Sequence, residues 1–381
     1  MKKELGQYFT TDPTLKENLF KFIVNSPSYI LEPCIGRGDL VMYIHKRNPK
    51  IEFDMYEIDE TIDFLDGIDR NKIIFGDFTK SDINKKYRTI IGNPPYYKTK
   101  DGNIYLAFIE KCFNLLENEG ELIFIVPSCF FKVTKSSKLI DKMMKSGSFT
   151  HIYHPSCENL FQGASVDVIL FRYFKDSTAS HKITHYNEQT MNMIINNGMI
   201  TFSPFSISEK RTFKDIFNIH VGLVSGKEKV FKNRELGNAY VLNGEDKIDH
   251  YILVTKFPSG DDKIDEYLLS HKNELLKRKI RKFNEDNWFE WGALRNIHAI
   301  ESNLDLDCIY VSTMTRSENV AFVGKVTYFG GSLLLLIPKV TCHLENVVRY
   351  MNSQKFQTNF IFSKRFKIGH RQISNSYFPE I

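Results

Sequence analysis

The chain predicts an α/β fold for residues 1–205, a mixed sheet with helices on both faces, followed by an α+β unit over residues 206–381. Three observations carry this. Short apolar runs (Tyr29-Ile30-Leu31, Ile73-Ile74-Phe75 and Thr89-Ile90-Ile91) and the alternating stretch Ile51 to Tyr56 recur through the first third as strands do. Just past the ends of the first three in chain order stand Glu32, Glu57 and Asp77, where open α/β sheets bind their ligands. From about residue 206 the strand–helix rhythm is lost. A chain of 381 residues is also long for a single core, which favours two domains.

Charge separates the two parts. Residues 1–205 hold 25 Lys/Arg against 25 Asp/Glu, whereas residues 206–381 hold 26 against 21. The whole excess behind the net charge of +5 therefore lies in the C-terminal part, where an anionic polymer would be the natural partner. The cysteines (Cys34, Cys112, Cys129, Cys157, Cys308, Cys342) form no C-x-x-C pair and no disulfide-like spacing. They read as reduced thiols of an intracellular, cytoplasmic protein without a metal site. The start, Met1 to Gln7, lacks the apolar run of a signal peptide, and the longest apolar run, Leu333 to Pro338, is too short to cross a bilayer. No membrane partner is expected.

Taken in order, Gly6-Gln7-Tyr8-Phe9-Thr10 places a glycine and aromatics before a helix start at Asp12-Pro13. It reads equally as an arm folded on the core and as a loop closing over a ligand. Leu15, Leu19, Phe22 and Ile23 then fall on one helix face. The strand at Tyr29 runs into Glu32-Pro33-Cys34-Ile35-Gly36-Arg37-Gly38-Asp39 and the helix pattern Leu40, Val41, Ile44. Glycines allow close backbone approach, and a helix N-terminus adds partial positive charge suited to a carboxylate. The Glu32-Pro33 opening is wrong for a pyrophosphate, which a carboxylate would repel, and this argues against a nucleotide-binding oxidoreductase. Glu57 follows Gly36 by 21 residues, a spacing at which an acid accepts from both ribose hydroxyls. Asp77 could accept from a ligand's amino group while Phe78 packs on its ring.

The run at Thr89 ends in Gly92-Asn93-Pro94-Pro95-Tyr96. Each proline fixes its own φ and holds the preceding residue extended. The amide oxygen of Asn93 and the carbonyl of Pro94 can then point the same way, beside the ring of Tyr96. An exocyclic amino group on a flat ring needs two such acceptors and a surface to stack on. The bland alternative is a Pro-rich turn. Downstream come a helix from Ile104 to Leu116, a strand from Glu121 to Val126, a helix from Ser136 to Lys145 and strands from Phe149 to Tyr153 and Val166 to Tyr173. The loop Asn159-Leu160-Phe161-Gln162-Gly163 carries an aromatic toward the same sheet edge.

In the second part, Arg278, Lys279, Arg281 and Lys282 form a basic run near Trp288 and Trp291. Arg316, Lys325 and the segment holding Lys364, Arg365, Lys367, His370 and Arg371 follow. Basic residues interleaved with aromatics suit phosphate contacts and stacking, and the Arg/His/Gln mixture offers base-edge donors. A solvated helix face is the competing reading for residues 277–282.

The Asn93-Pro94-Pro95-Tyr96 tetrapeptide resembles the catalytic motif of S-adenosylmethionine-dependent amino methyltransferases, which modify adenine N6, cytosine N4 or the amide of glutamine. With Glu32-Pro33, Glu57, Asp77-Phe78 and Phe217-Asn218-Ile219-His220-Val221-Gly222-Leu223, the order of parts is similar to the γ class of DNA adenine-N6 methyltransferases, TaqI-like and of the type II restriction–modification kind. The resemblance implies a SAM-dependent methyltransferase fold over 1–205 and a DNA target-recognition domain over 206–381. It implies Asn93, Pro94, Tyr96 and Phe161 as catalytic residues. Thr10, Glu32, Cys34, Gly36, Gly38, Glu57, Ile58, Asp77, Phe78, Asn93 and Pro95 would hold S-adenosylmethionine. The expected substrate is double-stranded DNA with the adenine flipped out, in a short palindrome such as TCGA. The expected state is a monomer, with any cognate restriction endonuclease acting independently. One departure stands out, since Gln162-Gly163-Ala164 lacks the lysine that some members carry there. An RNA adenine methyltransferase stays open, whereas a glutamine methyltransferase would not need the long basic C-terminal part. A catalytically dead DNA-binding subunit is disfavoured because every proposed catalytic position is filled.

Overall fold

The computed structural model describes residues 8–100, 102–132, 134–155, 157, 159–161, 166–176, 183–196, 198–203, 211–362 and 365–379. Gly6-Gln7, Gln162-Gly163-Ala164 and Lys364 lie outside the described residues. The chain divides into two compact units, Met1–Ser208 and Glu209–Ile381.

The first unit is built on a ten-stranded sheet. Its strands are β1 (Tyr29–Glu32), β2 (Glu52–Glu57), β3 (Ile73–Phe75), β4 (Tyr87–Gly92), β5 (Leu116–Pro127), β6 (Gly147–Tyr153), β7 (Val168–Lys175), β8 (Ile183–Tyr186), β9 (Gln189–Asn196) and β10 (Met199–Ser203). They are ordered β10-β9-β8-β6-β7-β5-β4-β1-β2-β3. Strands β1 to β5 run parallel, whereas β7 pairs antiparallel with both β5 and β6. The sheet is mixed, as expected.

Side-chain parity explains the two helical layers. Leu31, Ile90, Leu122, Phe124 and Val126 point to one face, where they meet Phe108, Ile109 and Cys112 of α3 (Ile104–Leu115). The alternate residues Ile30, Ile91, Ile123 and Ile125 meet Leu15 and Leu19 of α1 (Pro13–Phe22) and Leu40 and Ile44 of α2 (Asp39–His45) on the other. A strand apolar on both faces is what a sheet covered on both sides requires. Helix α1 starts as its sequence indicates, with Asp12 capping the Leu15 N–H at 2.8 Å and proline at the first helical position.

Two differences from the sequence reading have local causes. Strand β5 begins at Leu116, directly after α3, and not at Glu121, because Glu117, Asn118 and Glu119 form an exposed polar stretch. Strands β8 to β10 were not expected at all. Their hairpin turn at Asn187-Glu188 uses two positive-φ residues and no glycine, which hides it. The Asn197-Gly198 pair between β9 and β10 is a readable hairpin signal.

The second unit holds a four-stranded antiparallel sheet ordered Phe217–Val221, Leu333–Pro338, Asp307–Ser312, Ala321–Lys325. Parity again sorts its centre. Leu333, Leu335 and Ile337 pack with Cys308 and Tyr310 on one face, while Leu334 and Leu336 pack with Ile309 and Val311 on the other. A hairpin (Ala239–Gly244 with Lys247–Tyr251), a small sheet of Met314–Thr315, Arg365–Lys367 and Ile361–Phe362, and short helices complete an α+β unit. Among the described residues, no helix is long and apolar enough to cross a membrane, and no cluster of His, Cys, Asp and Glu could hold a metal ion.

Candidate active site

Strand order places the site. The chain leaves β1 to build β2 and β3 on one side, then returns to lay β4 and β5 on the other. The crevice past the carboxyl ends of β1 and β4 is therefore the topological switch point, where such sheets bind ligands. Glu32 ends β1 and Asn93 follows β4, so both residues stand at this crevice. Gly92 leaves room between them, since a Cβ there would lie 3.0 Å from Glu32 Oε1 and 3.1 Å from the Phe124 ring.

The crevice has two adjoining halves. The first is lined by Tyr8, Phe9, Thr10, Glu32, Cys34, Ile35, Gly36, Asp39, Leu40, Asn93 and Pro95. The second is lined by Pro33, Cys34, Glu57, Ile58, Gly76, Asp77, Phe78, Pro95, Tyr97, Ile104 and Phe108. Cys34 and Pro95 belong to both halves. The crevice thus gathers Thr10, Glu32, Cys34, Gly36, Glu57, Ile58, Asp77, Phe78, Asn93 and Pro95. Gly38 lies outside both linings. Its φ is +93°, and a Cβ there would collide with Ile68 at 2.5 Å, so it serves the turn into α2. Helix α2 spans seven residues and opens on Asp39, whose carboxylate is paired with Arg37 at 3.0 Å.

Glu32 is 1% exposed, and its Oε2 is buried with no hydrogen-bond partner. Burial pushes its carboxyl up to about 8, opposed by hydrogen bonds from Cys34 and reinforced by Glu57. A buried acceptor left unpaired is costly and calls for a donor or a cation. The lone ammonium of S-adenosylmethionine's methionine part is such a partner, so these residues fit that cofactor. Gly36, at φ +56°, takes a conformation that glycine adopts without strain. Glu57 is also buried and raised by burial, against backbone N–H bonds from Asp59, Gly36 and Ile58 at 3.0, 2.8 and 3.0 Å. A carboxylate offers about four lone-pair sites, so acceptor capacity remains for a hydroxyl.

Asp77 lines the second half with its carboxylate partly engaged. Its Oδ1 accepts from the N–H and hydroxyl of Thr79, and its Oδ2 pairs with Lys80 at 3.1 Å. Partial burial opposes ionisation, but these bonds outweigh it and hold the carboxyl below its usual range. Phe78 is buried between Tyr56 and Phe108, stacking on the latter at 5.4 Å, so most of its ring belongs to the core.

At Asn93 the amide nitrogen donates to the Tyr8 carbonyl at 2.8 Å and the Thr10 hydroxyl at 3.1 Å. This turns Oδ1 toward Tyr96, whose hydroxyl donates to it and has the Ile125 carbonyl, at 3.1 Å, as a second acceptor within reach. Burial drives the Tyr96 phenol well above its ordinary value, so it stays a donor. Cys34 is half-buried, and desolvation likewise pushes its thiol well up, which favours the protonated thiol there. Pro94 is buried and Phe161 is 3% exposed. Phe161 meets Tyr96 edge-on at 6.3 Å, and Tyr8 touches both rings. Individual roles for Tyr8 and Phe9 escaped the sequence reading. The arm sends Phe9 over Gly36 and under the Arg37 guanidinium, 5.1 Å away.

In the second unit, two expected surface residues are interior. Arg278 is buried, and its guanidinium donates to the carbonyls of Leu275, Ser225, Glu290 and Trp288. Trp291 is 2% exposed, with its indole N–H on Ile252 O at 2.8 Å. Arg281 is engaged with Glu290 at 2.5 Å and Trp291 O at 3.0 Å. Lys279, Lys282, Arg316, Arg365, Lys367, His370 and Arg371 are exposed, with His370 Nε2 on Ile219 O at 3.0 Å. The small sheet brings Arg316, Arg365 and Lys367 together, since Met314 pairs with Lys367 and Thr315 with Phe366. A polar cleft of about 380 Å³, walled by Glu228, Lys232, Asn243, Lys247, Asp249 and Tyr251, gave no signal in the sequence.

Residues 39–161 match the model of the Eco57I restriction-modification methylase family. The Type II methyltransferase M.HincII of Haemophilus influenzae is 31% identical over 199 residues, 46% of this chain and 38% of that protein. The Type II methyltransferase M.CvrRI of Paramecium bursaria Chlorella virus XZ-6E is 29% identical over 185 residues, 44% of this chain and 48% of its own. The chain thus spans less than half the length of these relatives. Among solved structures, the Type IIL restriction-modification enzyme MmeI in complex with DNA is similar in fold, with a TM-score of 0.62 at 11% identity, over 94% of this chain and 63% of that one. The sheet and its switch-point crevice are those of the SAM-dependent methyltransferase fold, and the family match implies S-adenosylmethionine as the cofactor. Residues 39–161 are thus similar to the methylases of restriction-modification systems, and over the rest of the chain the likeness is one of fold.

Proposed function

We propose that this chain is a site-specific DNA methyltransferase of the γ class, TaqI-like, acting on N6 of an adenine flipped out of double-stranded DNA. The observation that carries this is the Asn93 amide. Its nitrogen is tied to Tyr8 O and Thr10 Oγ1, which turns its oxygen to the Tyr96 hydroxyl, an oriented acceptor beside an aromatic ring at a crevice whose residues suit the cofactor.

Bound there, S-adenosylmethionine supplies an electrophilic methyl group on a sulfonium. Glu32 would take its ammonium, and Glu57, with Ile58 beside it, the ribose. The N6 lone pair of adenine is delocalised into the ring and is a poor nucleophile. Asn93 Oδ1 and the Pro94 carbonyl each accept one N6–H, which favours a pyramidal nitrogen with its lone pair localised. Tyr96 and Phe161 hold the extruded ring. No strong base is needed, so orientation and fixed dipoles do the catalysis. A stacked adenine cannot reach these acceptors, which is why the base must leave the duplex.

Residues 209–381 act as the target-recognition domain. Arg316, Arg365 and Lys367, with Lys279, Lys282 and Arg371, are suited to phosphates, and the Glu228–Asn243–Asp249 cleft offers acceptors and donors for base edges. The site is a short palindrome, with TCGA as the first sequence to try. The enzyme works as a monomer in the cytoplasm, and a cognate endonuclease acts independently. Likeness to type II methyltransferases favours DNA over RNA as substrate. Purified protein, labelled cofactor and matched DNA and RNA substrates test this directly, since N6-methyladenine should form in duplex DNA alone.

A further inference from the structure

The aromatic cluster beside Asn93 is closed. Tyr96 and Phe161 lie 6.3 Å apart and 73° from parallel, whereas a base between two rings needs parallel walls about 7 Å apart. The Tyr8 ring stacks on Tyr96 at 5.3 Å and 29°, and contacts Phe161 at 5.6 Å. The acceptor is taken as well, because the Tyr96 hydroxyl donates to Asn93 Oδ1. Both features that a target base needs, a ring face and an amide oxygen, are thus held by groups of the chain itself.

Resting on the adenine-methyltransferase reading, we propose that the Tyr8 ring occupies the seat of the target base and must leave the face of Tyr96 before the base can stack. The release is built in. The Tyr96 hydroxyl has a second acceptor, the Ile125 carbonyl at 3.1 Å, so it can surrender Asn93 Oδ1 without losing its hydrogen bond. The Tyr8 carbonyl holds the Asn93 amide nitrogen through the backbone, so the ring can swing out while the amide keeps its orientation. Tyr8 is therefore a positioning residue with two separable parts. Its carbonyl aims Asn93, and its ring competes with the base.

The test compares two duplexes bound by the full chain with S-adenosylhomocysteine present. One carries the target adenine in the site mapped with the parent enzyme, and the other an abasic sugar at that position. Only the first must displace the ring, so the ratio of their dissociation constants isolates the competition from general loss of structure. Tyr8→Ala should improve binding of the adenine duplex relative to the abasic one by about 2- to 12-fold, the value of one aromatic pair. Tyr8→Leu should shift the ratio the same way, and Tyr8→Phe, which restores a ring, should return it to the parent value. A ratio that is unchanged, or that moves against the adenine duplex, would overturn the proposal, the latter showing a fixed wall that stacks on the base. Failure of the underlying reading looks different, because the parent would then form no N6-methyladenine in any duplex.

Discussion

The amide of Asn93 is held at three points, by Tyr8 O, Thr10 Oγ1 and the Tyr96 hydroxyl, and its chemistry depends on that orientation. Asn93→Ala removes one oriented acceptor, so methyl transfer should fall on the order of 100-fold or more while DNA binding persists. Single-turnover rates alongside binding curves check the split, and a rate near the parent's would remove Asn93 from the chemistry. Glu32 makes a pH prediction. Its folded value of about 8 lies above the ordinary 4.5, so at neutral pH the free protein holds it protonated. An arriving ammonium favours the carboxylate, so cofactor binding should release a proton and tighten as pH rises toward 8. The same raised value means that stability contributed by the neutral form is present below about 4.5 and is lost as pH rises through 8. Calorimetry in buffers of different ionisation enthalpy measures the proton, and uptake in place of release would contradict the assignment. At this scale, positions fixed by chain geometry were legible: Glu32 and Glu57 end strands, Asn93 follows one, and all three stand at the crevice. Arg278 and Trp291 were not, because a basic or aromatic residue looks the same in sequence whether its partners are phosphates or buried carbonyls.

Strands and helices were legible where both sheet faces are apolar and illegible where polar residues fill the strand. β1, β3 and β4 announce themselves through Ile and Leu at consecutive positions and β2 through Phe53, Met55 and Tyr56, whereas β9 (Gln189–Asn196) mixes Met and Ile with Asn and Thr beyond a turn without glycine. One buried pairing locks the elements together. Glu121 of β5, fully buried, bonds Arg172 of β7 at 2.8 Å, Thr89 of β4 at 3.0 Å, and the backbone N–H groups of Val24 and Asn25 after α1 at 3.2 and 3.1 Å. Glu121→Ala strands a buried guanidinium and two N–H groups, which should cost about 3–5 kcal/mol. Denaturant unfolding checks this, and a loss under ~1 kcal/mol, the value of an exposed pair, would show that the group is solvated.

Across the whole molecule, the loss of strand–helix rhythm and the rise in basic charge were visible in the sequence, but the gathering of Arg316, Arg365 and Lys367 depends on strand pairing over about fifty residues and was not. Because exposed lysines and arginines would neutralise phosphates, DNA binding should weaken steeply and log-linearly with salt. Replacing Arg316, Arg365 and Lys367 together should flatten that slope by close to three contacts' worth. A slope unchanged by the triple substitution would move the phosphate contacts elsewhere. The central claim, that the chain methylates adenine N6 in duplex DNA at a defined sequence through Asn93, is tested most directly by single-molecule sequencing of DNA from cells expressing it. The account predicts N6-methyladenine at one recurring short sequence with the parent protein and none with Asn93→Ala. Methylation of cytosine N4, or the same adenine pattern with both proteins, would contradict it.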